Sequence, residues 1–79
     1  MAKIVKVYST LTCPYCVRLK EFLRDNNISF EDLDVGDDEK AAKDMIAKSG
    51  QMGVPVIEID GEIIVGFDRE RIQQALGLI

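Results

Sequence analysis

Seventy-nine residues leave room for one domain and one small core. Hydrophobic residues make up 47% of the chain, a share that fits a globular protein and excludes a disordered one. Ten basic against fourteen acidic residues give a net charge of −4, which argues against nucleic acid as a partner because such binding needs a basic face.

The first predicted element is a strand over Lys3-Ile4-Val5-Lys6-Val7-Tyr8, where charged and apolar residues alternate and β-branched residues are frequent. The opening Met1-Ala2-Lys3-Ile4-Val5-Lys6 holds no apolar run long enough for a signal peptide, and nothing later approaches the length of a membrane span. The expected residence is therefore cytoplasmic, with no membrane partner. No repeat, linker or low-complexity segment divides the chain, so residues 1–79 are expected to form a single domain.

Both cysteines come next, in Thr12-Cys13-Pro14-Tyr15-Cys16. A helix is predicted from Pro14 to about Asp25, with Cys13 near its N-cap and Pro14 at the first helical position, where proline is favoured. The N-terminus of a helix carries unpaired N–H groups and about half a positive charge, which favours a thiolate at Cys13. Cys16 falls one turn later and is expected to be better covered. Two thiols at this spacing can close and reopen a small disulfide ring, so the pattern points to dithiol exchange. Cys13 would attack a substrate disulfide, and Cys16 would attack the resulting mixed disulfide and release the product.

Plainer readings of the pair stand beside this one. A structural disulfide closing so short a loop adds little stability and suits secreted proteins. A zinc site needs about four ligands; the chain has two cysteines and no histidine, so carboxylates or a second chain would have to complete it. Two buried, inert cysteines are the third alternative.

Along the same helix, Cys16, Leu19, Phe22 and Leu23 form an apolar stripe, leaving Arg18, Lys20, Glu21 and Arg24 mostly to a solvated face. Asp25-Asn26-Asn27 supplies the stop, and a second strand is predicted from Ile28 to Val35. Gly36-Asp37-Asp38 is a turn and helix start, followed by a helix from about Asp38 to Ser49 that buries Ala41 or Ala42, Met45 and Ile46. Its charges are expected to form a plain solvated surface, with Glu39 and Lys43 paired, and Gly50 ends it. A third strand should run from Val54 to Ile59, with Pro55 at its beginning because proline donates no ladder hydrogen bond. Asp60-Gly61 signals a hairpin, so Glu62 to Val65 should return antiparallel. Asp68 then caps a last helix through Leu76, with Ile72 and Leu76 inward. The order β-α-β-α-β-β-α describes an α/β domain: a four-stranded mixed sheet flanked by three helices, its first two strands parallel with a right-handed crossover.

Three blocks in this order, Cys13-Pro14-Tyr15-Cys16, Val54-Pro55 and Gly66-Phe67-Asp68, resemble the glutaredoxins of the thioredoxin superfamily over nearly the whole chain. Gly53-Val54-Pro55 and Val65-Gly66-Phe67-Asp68 look like a glutaredoxin-like subgroup found in anaerobes and related prokaryotes. The resemblance implies the thioredoxin fold and a thiol–disulfide oxidoreductase, acting as a monomer with no tightly bound cofactor and no metal. Glutathione would be the electron donor or co-substrate, and the clients would be disulfide-containing or glutathionylated proteins.

By the same resemblance Pro55 is cis and lies beside the cysteines, while the backbone of Val54 pairs with substrate like an added strand. Gly66, Phe67 and Asp68 would hold the γ-glutamyl end of glutathione, helix N–H groups taking its carboxylate and Asp68 its ammonium. Tyr15 would be the aromatic flank of the pair, with Thr12 and Pro14 supporting the motif. Against these stand an ordinary edge-strand proline at Pro55, a simple cap at Asp68 and a solvated helix-start residue at Tyr15.

The chain departs from the family in three places. Thr10 stands where a lysine is common, Gly53 where a threonine is common, and Met52 where an arginine is frequent. Two partners for glutathione's glycine carboxylate are thereby lost, along with a cation near Cys13. A redoxin of this shape reduced by thioredoxin reductase is accordingly the nearest alternative. From another class comes an iron–sulfur cluster carrier or binding module, against which Pro14 counts, because cluster-binding relatives generally lack it.

Overall fold

The computed structural model describes residues 3–78, so Met1-Ala2, part of the opening stretch read for a signal peptide, lie outside the described residues, as does Ile79. Seven elements follow one another: β1 (Val5–Ser9), α1 (Pro14–Asp25), β2 (Glu31–Asp34), α2 (Glu39–Ser49), β3 (Val56–Ile59), β4 (Glu62–Val65) and α3 (Arg69–Leu76). The strands form one sheet in the order β2-β1-β3-β4, parallel between β1 and β2 and antiparallel elsewhere. This is the expected mixed sheet with three helices.

The two faces of the sheet follow from the strand period of two. Val5 and Val7 of β1, Ile57 and Ile59 of β3 and Ile64 of β4 meet Leu19 and Leu23 of α1 and Ile72 and Leu76 of α3. Tyr8 and Val56 face the other way, against Met45 of α2. Each such aliphatic side chain contributes roughly 1.5–3 kcal/mol when fully buried. The core therefore anchors both helices that carry the candidate site.

Local chemistry sets the ends of the elements. α1 has Cys13 as N-cap and Pro14 at its first position, and Asn26 and Asn27 (φ 58°) turn the chain away. Asp38 caps α2 by accepting from the Ala41 N–H at 3.1 Å, and Gly50 ends it at φ 73°, a left-handed value that favours glycine. Asp60 (φ 48°) and Gly61 (φ 91°) form the β3–β4 turn, with positive φ at both central positions as a two-residue type I′ hairpin requires.

Several expectations need correction. The first strand begins at Val5 because the Ile4 N–H is taken by the Asp60 carboxylate at 2.8 Å and Ile4 is exposed. β2 is four residues long: the Ile28 N–H closes onto Leu23 O, and Ile28 and Phe30 pack on the core from the connecting loop. β3 starts after Pro55, which has no N–H to give the ladder. Ile46 is exposed, because Ala41 and Met45, four apart, already fill the inner face of α2. Nor are the charges of α2 a plain solvated surface. Glu39 and Lys43 do pair at 3.7 Å, but Asp44 and Lys48 reach inward to the hydroxyl of the buried Tyr8. Lys48 also pairs with Glu58 of β3 at 2.7 Å.

Candidate redox site

The turn from β1 into α1 puts the two cysteines in different environments. Cys13 has extended backbone (φ −93°, ψ 113°), as an N-cap residue should, and its Sγ accepts the Cys16 N–H at 3.3 Å. The sulfur thus occupies the place of a capping oxygen, beside the N–H groups that the first turn leaves free. Cys13 is half-buried, and its thiol points towards the Val54 carbonyl oxygen, 4.0 Å away. Cys16, at the third helical position, is fully buried.

Burial is the main reason that the Cys16 thiol is pushed up to about 11, and its hydrogen bond with Cys13 acts in the same direction. The Thr10 backbone N–H and, more weakly, the Lys20 ammonium oppose that shift. One sulfur is therefore reachable from solvent and the other, within hydrogen-bonding distance of it, is held neutral. Two free thiols so arranged can form a disulfide with each other after the exposed one has reacted.

The distant blocks converge on this turn. Val54–Pro55 is a cis peptide bond and Pro55 is buried. Its carbonyl accepts the Gly66 N–H at 2.7 Å, which brings the Gly66-Phe67-Asp68 segment alongside Val54 and hence alongside Cys13. Gly66 has φ 81°, where glycine is favoured. The Phe67 ring turns inward, 5.8 Å from that of Phe22, so this residue offers its backbone to the surface. Asp68 is exposed and caps α3, one carboxylate oxygen accepting the Arg71 N–H at 3.2 Å.

Tyr15 is also exposed, with the Arg18 guanidinium 5.5 Å from its ring centre. Thr12 is exposed and, with Thr10 and Leu11, lines a cleft opposite Asp34 and Asp37. Thr10 and Met52, the positions without the expected basic residues, lie in the segments leading to Cys13 and to Val54, and Met52 is 77% exposed. Among the described residues no group of three or more His, Cys, Asp or Glu side chains could hold a metal ion.

Near the site, Lys20 also lies elsewhere than the sequence pattern predicts. Assigned to the solvated face, it instead lies against the fold with 14% of its side chain exposed, paired to Asp32 at 2.9 Å. The signal was present in its position, four residues after Cys16 on the same helix.

A family model described as Glutaredoxin matches residues 5–64. An uncharacterised glutaredoxin-like 8.6 kDa protein in the rubredoxin operon of Clostridium pasteurianum is 49% identical over 73 residues, covering 92% of this chain and 97% of that protein. Glutaredoxin 3 of Escherichia coli (strain K12) is 39% identical over 64 residues, 81% of this chain and 77% of its own. Among solved structures, the thioredoxin-like protein BC3987 superposes with a TM-score of 0.87 at 39% identity, covering 91% of this chain and 99% of that one.

Proposed function

Because the chain belongs to the glutaredoxin family, whose fold and chemistry support a thiol–disulfide oxidoreductase, we propose that it reduces protein disulfides and glutathione mixed disulfides with electrons from glutathione. The observation that carries this reading is the pairing of a half-exposed Cys13 sulfur at the head of α1 with a fully buried Cys16. Cys13 attacks the substrate disulfide and becomes a mixed disulfide. Cys16 then attacks Cys13 Sγ, the substrate leaves as a thiolate, and the protein is left with a Cys13–Cys16 disulfide for glutathione to reduce.

The other residues take binding roles in this reading. The Val54 backbone, next to Cys13 Sγ, pairs with the extended substrate segment. The backbone of Gly66 and Phe67 and the head of α3 receive the γ-glutamyl carboxylate of glutathione. The Asp68 oxygen not engaged by Arg71 accepts from its ammonium, and Tyr15 covers the flank. The protein works as a monomer in the cytoplasm.

Turnover of a glutathionylated peptide should vanish in Cys13→Ser and persist in part in Cys16→Ser. Appreciable turnover by Cys13→Ser overturns the assignment of the nucleophile.

A second reading differs in the electron donor alone. Neutral residues at Thr10 and exposed Met52 leave glutathione's glycine carboxylate without two cations, which favours a flavoprotein donor such as thioredoxin reductase. Reduction with glutathione and glutathione reductase, set against thioredoxin reductase and NADPH, separates the two.

A further inference from the structure

Lys20, Asp32 and Ser9 form a polar cluster where α1, β2 and β1 meet. The Lys20 ammonium lies 2.9 Å from one Asp32 oxygen, and the other Asp32 oxygen accepts from Ser9 Oγ at 3.0 Å. Ser9 is buried, and Lys20 nearly so. The cluster approaches Cys16 from two sides. Lys20 follows it by one turn on the same face of α1, and Ser9 immediately precedes Thr10, whose N–H donates to the Cys16 sulfur.

Resting on the assignment of Cys13 as nucleophile and Cys16 as resolving thiol, we propose that Lys20 is a positioning residue for the resolving step. Its ammonium steadies the Cys16 thiolate, and Asp32 sets how much of that charge Cys16 feels.

The need follows from burial. A thiol pushed up to about 11 is ionised in about one molecule in 10,000 at neutral pH, yet the thiolate is the form that attacks. Once Cys13 is bound to substrate it can no longer be an anion beside Cys16. Burial then remains as the opposing effect, and the Thr10 N–H and Lys20 remain as the favourable ones. The groups that act on Cys16 are Cys13 and Lys20 on its own helix and the Thr10 N–H at the end of β1; Asp32 on β2 stands behind Lys20 and is held in turn by the Ser9 hydroxyl on β1. The buried side chains that β3 and α3 pack against α1 are aliphatic. In the step itself Cys16 gives its proton to solvent and its thiolate attacks Cys13 Sγ. The Cys13–Cys16 bond forms, the bond to the substrate sulfur breaks, and that sulfur leaves with the electron pair. The protein dithiol is oxidised and the substrate disulfide is reduced.

Charge makes a prediction that packing does not. Lys20→Met and Asp32→Asn both destroy the same ion pair. The first leaves the Asp32 carboxylate uncompensated; the second leaves the Lys20 ammonium, one turn from Cys16, uncompensated. Mixing the reduced protein with the disulfide of thionitrobenzoate gives a first burst of coloured thiolate when Cys13 reacts and a second when Cys16 resolves. The second burst, taken relative to the first in each trace, is followed from pH 6 to 10.

Lys20→Met should move its midpoint to higher pH and slow it about threefold to tenfold near neutrality, for a change of up to one pKa unit. Lys20→Arg should restore it, and Asp32→Asn should move the midpoint to lower pH. Movement of both variants in the same direction, or no movement in Lys20→Met, overturns the proposal. If Lys20→Met fails to fold, Asp32→Asn still decides, because its side chain is half-exposed and an upward or absent shift there is equally fatal. A first burst that survives in Cys13→Ser would instead overturn the assignment of the nucleophile, a separate failure.

Discussion

The buried thiol should make the reduced protein sensitive to alkali in a way that can be assigned to one residue. Folding raises Cys16 from an ordinary 9.0 to about 11, chiefly by removing it from water. The sign follows from linkage. The unfolded chain loses the Cys16 proton first, so the stabilising effect of the neutral buried thiol is complete below pH 9. It is lost as pH rises towards 11. For a difference of two in pKa, the loss between pH 8 and pH 10 is about 1 kcal/mol, and about 3 kcal/mol once both states are ionised. With a urea slope near 1 kcal/mol per molar for a chain this small, the midpoint should fall by about 1 M between pH 8 and 10. The assay is urea unfolding of the reduced protein against pH, in parallel with Cys16→Ala. The variant should be less stable at pH 8, having lost a buried sulfur, but the part of the alkaline slope due to Cys16 should be missing from it. Equal slopes in the two proteins would refute the claim that burial keeps Cys16 neutral.

Tyr8→Phe removes a buried hydroxyl that donates to Asp44 at 2.6 Å and accepts from Lys48 at 3.2 Å, and should cost about 1–2 kcal/mol at neutral pH. Because that hydroxyl, followed by Lys48, holds the Asp44 carboxyl below its usual range, the stabilisation is present above about pH 4 and lost as pH falls further; the gap between the two proteins in thermal melts should therefore narrow in acid. At Asp68, the variant Asp68→Ala should lose about 1 kcal/mol with the α3 cap, whereas Asp68→Asn should keep the cap. If Asp68 also binds glutathione's ammonium, both variants raise KM for glutathione, and an unchanged KM in Asp68→Asn would leave capping as its sole role. Cys13→Ser should melt at or slightly above the wild-type temperature, because a serine oxygen caps a helix at least as well as a sulfur that accepts at 3.3 Å. A large drop would mean that Cys13→Ser cannot serve as a folded control for lost activity.

Most of the fold was legible because its signals are local. The apolar stripe of α1, the caps at Asp38 and Asp68 and the Asp60-Gly61 turn each lie within a few residues of what they specify. What was misread depended on partners far along the chain. The first strand lost Lys3 and Ile4 because Asp60, fifty-six residues after Ile4, captures its N–H. Lys48 looked like a surface lysine until Tyr8 and Glu58 came up beneath it from two strands. Partners brought up by the sheet move such a group in a direction that composition does not reveal, here against the effect of burial. Lys48 is pushed well above the usual lysine range, first by Glu58 and then by the Tyr8 hydroxyl, both supplied by the sheet.

The site divides along the same line, and the division explains how two identical side chains acquire different chemistry. Cys13 and Cys16 are set apart by cap geometry alone. A residue with extended backbone at the N-cap directs its side chain over the end of the helix, whereas the third residue of the helix directs its own onto the packed face. A spacing of three therefore yields one thiol at the surface and one in the core, before any contact from elsewhere is considered. What the spacing does not specify is how the buried thiol would be made to ionise in the proposed exchange. The Thr10 N–H comes from the end of β1, and the Lys20 charge is held in place by Asp32 on a neighbouring strand, so in the proposed exchange the attacking half of the dithiol would be written into α1 and the resolving half completed by the sheet.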